Sequence, residues 1–150
     1  TRSKGITVLV HTSIPRYLRA ASLVDKWLNR VPDQDKNELV RVFVVPHRRG
    51  DERAGSYHPY LYVVTVNWRT GALWRTLFFW LANLAHEFTL YHELGHHIHR
   101  HGFGQDPEHE KQANDYAGRL FRAAHPVLIA VFDPLARMVR LAVRRMALSR

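Results

Sequence analysis

The sequence predicts an α+β domain, from an early run of strand, helix, strand, strand and a second half that is almost wholly helical. Three observations carry this. β-branched apolar runs recur before residue 67, apolar spacing switches to three or four residues after Gly71, and Gly or Pro marks the joins. With 150 residues, 46% apolar and 23% charged, the chain has the size and composition of one globular domain over 1–150 and is too apolar for a disordered one.

The elements follow in order. Residues 6–11 read as a short buried strand. Ser13 can cap a helix and Pro15 is tolerated in its first turn. Tyr17, Ala21, Val24, Leu28 and Val31 recur at helical spacing until Pro32. Residues 33–38 form a polar turn, Leu39–Val45 a strand ended by Pro46, His47–Gly55 a charged loop, and Tyr60–Val66 a third strand. Leu73 to His101 holds no Gly or Pro except Gly95 and reads as helix, in one or two pieces. Its apolar first part is expected to pack on the sheet, the alternative being a membrane-surface patch around Trp74, Phe78, Phe79 and Trp80. A turn at 102–107 leads to a helix over Glu108–His125, stopped by Pro126. Asp133 and Pro134 suit the start of a last helix over 134–148.

Composition bounds the chemistry. Cysteine is absent, which excludes disulfides, thiolate metal sites and a cysteine nucleophile, and permits a cytoplasmic setting. Ile6–Val10 is too short for the apolar core of a secretion signal, and no run approaches the roughly 20 apolar residues of a membrane span. The start at Thr1 rather than Met points to a trimmed N-terminus.

The net charge is +9, and most of it is terminal: residues 119–150 hold seven arginines and one acid. That stretch reads as a solvated basic helix, with weak contact to DNA or an anionic surface through Arg137, Arg140, Arg144 and Arg145 as the functional alternative. Histidine is concentrated too. Seven of eleven fall between His86 and His109.

Within that window residues 92–96 read His-Glu-Leu-Gly-His. Residues i and i+4 lie on one helix face, so both imidazoles reach one ion. Zinc takes His nitrogens in tetrahedral geometry and leaves one position for water in a catalytic site. Glu93 would then stand beside the metal as general base. The nearby His86-Glu87 pair has Leu90 where a second histidine would be needed, and is set aside. A third histidine ligand of the extended H-E-x-x-H-x-x-G-x-x-H kind is excluded, because position 99 is His and 102 is Gly. A carboxylate from the next helix remains. Glu110 ranks first because Asn114, one turn on, can hydrogen-bond a ligating histidine; Glu108 and His109 compete. His97, His99 and His101 are expected on the surface rows of the helix. Tyr57, His58, Tyr60, Tyr62 and His125 are unranked candidates for stabilising an oxyanion.

The run from Glu87 through His-Glu-Leu-Gly-His to His99, followed by Glu110-x-x-Ala-Asn-x-Tyr-Ala117, resembles the ImmA/IrrE family of small metallopeptidases. The close match covers residues 87–117. The resemblance implies a reduced zincin-like fold, zinc held by His92, His96 and Glu110, and Glu93 as general base. It also implies a protein substrate such as a transcriptional repressor. Tyr116 replaces the usual Phe. The short loop between His96 and Glu110 and the apolar stretch Leu73–Leu84 depart from the family pattern. Two other classes stand beside it: a non-catalytic zinc-stabilised module binding DNA or a partner, and a membrane-surface-associated metalloprotease.

Overall fold

A computed structural model of the chain describes residues 2–3, 5–48, 50–70, 79–102 and 106–132. The expected helix at 134–148, its arginines 137, 140, 144 and 145, and residues 73–78 lie outside the described residues.

The α+β class is observed. A five-stranded sheet has the order β1-β2-β3-β5-β4, with β1 at Arg2–Ser3, β2 at Ile6–Val10, β3 at Arg41–Pro46, β4 at Gly55–His58 and β5 at Val63–Trp68. β2, β3 and β5 are parallel, while β1 and β4 add antiparallel edges. The three strands expected from β-branched runs form the centre. β4 takes the last residue of the expected charged loop, Gly55, and Ser56–His58, to which the sequence reading assigns no element. It is a strand because it pairs with β5, Tyr57 opposite Val64 and Ser56 opposite Thr65. β5 starts three residues later than the pattern suggested. Residues 59–62 are consumed by the β4–β5 turn, where Leu61 N–H donates to His58 O and Tyr62 takes φ 51°.

Helix α1 (Ala20–Leu28) follows a 3-10 turn at Arg16–Leu18, so it begins later than the apolar spacing implied. Arg19 at φ 51° separates the two. The Lys36 ammonium is buried and donates at 3.0 Å to Leu28 O at the C-terminus of α1, which also accepts from Val31 N–H at 3.2 Å. Helix α2 (Phe79–Ile98) packs on β5 and β4, and helix α3 (Pro107–Ala124) packs antiparallel on α2. Asp106 caps α3 by accepting from Glu108 N–H at 2.9 Å, with Pro107 in the first turn. The helix breaks at His125, as Pro126 implied, and residues 126–132 are again helical. Among the described residues, no helix is long and apolar enough to cross a membrane.

The core lies between the sheet, α1 and α2: Val42, Val44, Val64 and Val66 from the strands, Val24 and Leu28 from α1, Leu90, Tyr91 and Leu94 from α2. Trp27 stacks on Trp68, and Trp68 on His86 at 4.3 Å. Among the described residues of the apolar stretch, Ala82 is buried. Phe79, Trp80 and Leu81, its first described turn, are exposed.

Gly95 has a consequence beyond its helix. A Cβ there would lie 2.7 Å from Ala113 Cα, so the backbones of α2 and α3 touch at this point. The contact brings Glu110 and Asn114, the turn around Ala113, opposite His92 and His96. Gly95→Ala should gain helix propensity yet force the helices apart. A net loss of about 1–2 kcal/mol in urea unfolding is expected, together with weaker zinc binding. Unchanged stability and zinc affinity would show that the close approach does not position Glu110.

Candidate metal centre

Helical geometry places His92 and His96 one turn apart on α2, and the site forms where α3 crosses this face. The two Nε2 atoms are 3.1 Å apart. Glu110 Oε2 lies 3.3 Å from His92 Nε2, and Oε1 lies 3.5 Å from His96 Nε2. Among the described residues these three form a cluster that can hold a metal ion. Ligands at 2.0–2.1 Å from a tetrahedral zinc stand about 3.3 Å from one another, so the three spacings and the two-imidazole, one-carboxylate donor set suit zinc. Glu108 and His109, the sequence competitors of Glu110, are outside the cluster.

The histidines are oriented from behind. His92 Nδ1 faces Asn114 Oδ1 at 3.1 Å, and an amide oxygen only accepts. His92 therefore carries its proton on Nδ1 and keeps the Nε2 lone pair for a metal. Burial, then the neighbouring His92, lowers His96 to about 4, which leaves its imidazole neutral near pH 7.

Glu93 is buried at 6% exposure. Its carboxylate lies against Gly55 of β4, where an added Cβ would stand 2.8 Å from Oε1. A cleft of about 810 Å³ opens here, bounded by β4 on one side and by Phe88, Thr89, His92, Glu93 and Glu110 on the other. Burial, then the Glu110 carboxylate, pushes Glu93 up from 4.5 to about 8. This fixes a sign. Between pH 4.5 and 8 the folded, metal-free chain holds a proton that the unfolded chain releases, so its stability falls as pH rises through that window. In the presence of a chelator, Glu93→Gln should be more stable than wild type by about 2–4 kcal/mol at pH 8 and equal to it near pH 4.5. Parallel pH–stability curves would contradict the shift.

Of the oxyanion candidates, Tyr57 and His58 line the cleft. Tyr60 is 82% exposed on the turn, Tyr62 packs edge-on against His97, and His125 faces Glu87 at 2.8 Å. The Tyr57 hydroxyl is engaged by His97 Nδ1 at 3.2 Å, while His97 Nε2–H donates to Asn37 O at 2.8 Å.

Two expectations are corrected. His97 and His101 are buried, not on the surface. His97 joins the end of α2 to β4 and to the loop before β3; His101 lies against His96. The rejected His86-Glu87 pair proves structural. His86 accepts from Arg69 N–H, and burial followed by the Arg69 charge lowers it to about 4. Glu87 binds Arg30, Tyr91 and His125. Sequence reasoning missed Gly55, Gln112 and His101, whose roles arise from contacts between elements. Only the local excess of histidine hinted at His101.

No family model and no curated protein sequence matches the chain. Its fold is similar to that of a solved Wss1 mutant from Saccharomyces cerevisiae, with a TM-score of 0.57 and 14% identity over 85% of this chain and 99% of that one. At that identity the likeness shows the fold, which is zincin-like. The chain thus joins an α+β fold of this kind to a His–His–Glu cluster at the crossing of two helices.

Proposed function

We propose that the chain is a zinc-dependent endopeptidase acting as one domain, with His92, His96 and Glu110 as metal ligands, Glu93 as general base and Asn114 orienting His92. The observation that carries this reading is the convergence of two imidazole Nε2 atoms and the Glu110 carboxylate, with one ligand atom of each within 4.8 Å of the others, beside a buried carboxylate at the cleft. Zinc bound there would supply an acidified water and a polarised carbonyl. Glu93 would hold the proton given up by the attacking water and pass it to the leaving amine. Its raised affinity for a proton in a buried setting suits the transfer, and a bound cation would draw it back toward the carboxylate form. β4 stands at the end of the sheet, paired with β5 on one side, and its residues line the cleft. An extended peptide would add there as a further antiparallel strand, its backbone held by β4 and its scissile bond brought over Glu93.

The substrate we propose is a specific protein such as a transcriptional repressor. This finer reading rests on the resemblance of residues 87–117 to the ImmA/IrrE family. A cytoplasmic setting goes with it.

Metal analysis tests the ligand set. Purified wild type should hold close to one zinc per chain, and His92→Ala, His96→Ala and Glu110→Ala should each lose most of it. A full complement of zinc in Glu110→Ala would overturn Glu110 as the third ligand.

A further inference from the structure

The C-terminal end of α2 contains a chain of polar contacts that the reading above does not use. Beyond Ile98, His101 N–H donates to His96 O at 3.0 Å and Arg100 N–H to His97 O at 3.1 Å, with Arg100 at φ 53°. This pair of bonds around a left-handed residue is a Schellman motif. It folds the chain back so that residue 101 lies over residue 96. The His101 ring is buried, stacked on His109 at 4.0 Å and on His99 at 5.4 Å. Its Nδ1 is 2.9 Å from His96 Nδ1, and its Nε2 is 3.1 Å from Gln112 Oε1 on α3.

The protons in this chain have one consistent arrangement. Gln112 Nε2 donates to the Glu108 carboxylate at 3.4 Å, which turns the amide oxygen toward His101. An amide oxygen only accepts, so His101 carries its proton on Nε2 and presents a bare Nδ1. The donor across the 2.9 Å contact is then His96 Nδ1–H. That leaves the His96 Nε2 lone pair facing His92 Nε2 and Glu110.

We propose that His101, held by Gln112, is a positioning residue for His96: it fixes the tautomer and ring orientation that turn Nε2 to the metal, as Asn114 does for His92. The inference rests on the zinc reading of the site. His101 is not itself a ligand, because it meets the His96 ring on the side away from the cluster.

The test is zinc affinity by chelator competition on the full chain, with His101→Phe and Gln112→Met. Phenylalanine keeps the stacked ring and removes both nitrogens. Zinc should stay at one per chain in each variant. The dissociation constant should rise about tenfold to a hundredfold for His101→Phe, and in the same direction for Gln112→Met. The double variant should be no weaker than His101→Phe, because both act through one chain of bonds. A readout independent of metal is the ring nitrogen spectrum of His96 in metal-free protein. Wild type should show the proton on Nδ1, and His101→Phe a mixture of tautomers. Wild-type affinity and an unchanged His96 tautomer in His101→Phe would overturn the proposal. So would complete loss of zinc from His101→Phe with full retention by Glu110→Ala, which would make His101 a ligand. A wild-type chain that binds no zinc would overturn the metal reading together with this inference, whereas an equal zinc dissociation constant for wild type and His101→Phe would overturn this inference alone.

Discussion

On the proposed mechanism, Glu93→Gln keeps the zinc site and loses peptide hydrolysis by about 10²- to 10⁴-fold, the usual worth of a positioned general acid–base group. The side chains have nearly the same shape, so the buried site at 6% exposure neither collapses nor opens. Glu93 stands outside the three-residue cluster, so removing its charge leaves the donor set intact. What the substitution removes, on the proposed mechanism, is the group that would accept the proton of the attacking water and pass it on. The measurement pairs zinc content with turnover of a quenched peptide library or of a co-expressed candidate repressor. Hydrolysis at the wild-type rate would remove Glu93 from the mechanism. Zinc-replete wild type and variant that are equally inert on every substrate would instead favour a zinc-stabilised binding module.

The largest loss of stability is expected at Glu87. This carboxylate is 2% exposed and satisfied on both oxygens: Arg30 and the Tyr91 hydroxyl, at 2.8 Å, bond Oε1, and His125 Nε2 bonds Oε2 at 2.8 Å. It ties the end of α1, the middle of α2 and the last turn of α3 to one point. Glu87→Ala leaves a buried hydroxyl and two cationic or polar rim groups without their acceptor, and such deletions cost about 3–5 kcal/mol. Arg30 keeps partial access to water, which places the expected loss toward the lower end of that range. Urea unfolding measures it directly. A change under about 1 kcal/mol would mean that the cluster behaves as an exposed ion pair.

Both predictions concern a carboxylate that follows a histidine in an apolar helix, and nothing local separates the two roles. His86-Glu87 and His92-Glu93 look alike over two residues. The spacing to His96 distinguishes the second pair, and that was legible because i and i+4 share a face in any α-helix. The use of Glu87 was not legible, because Arg30 and His125 are 57 and 38 residues away in the chain. The central strands were readable from their β-branched runs, whereas β4 was not. A four-residue strand at an edge is defined by its partner, and Gly55 there answers to the proximity of Glu93 and Thr89 rather than to a turn.

By itself the sequence determined the α+β class, the helices that carry the site, and the His92–Glu93–His96 face, all set by short-range periodicity along one helix. The sequence ranked Glu110 above Glu108 and His109, but only the tertiary structure brings it against His92 and His96 and turns His101 inward. The physical reason is that both depend on how closely two helices approach. That distance is fixed where Gly95 meets Ala113 and where the chain folds back at Arg100, and neither follows from local spacing.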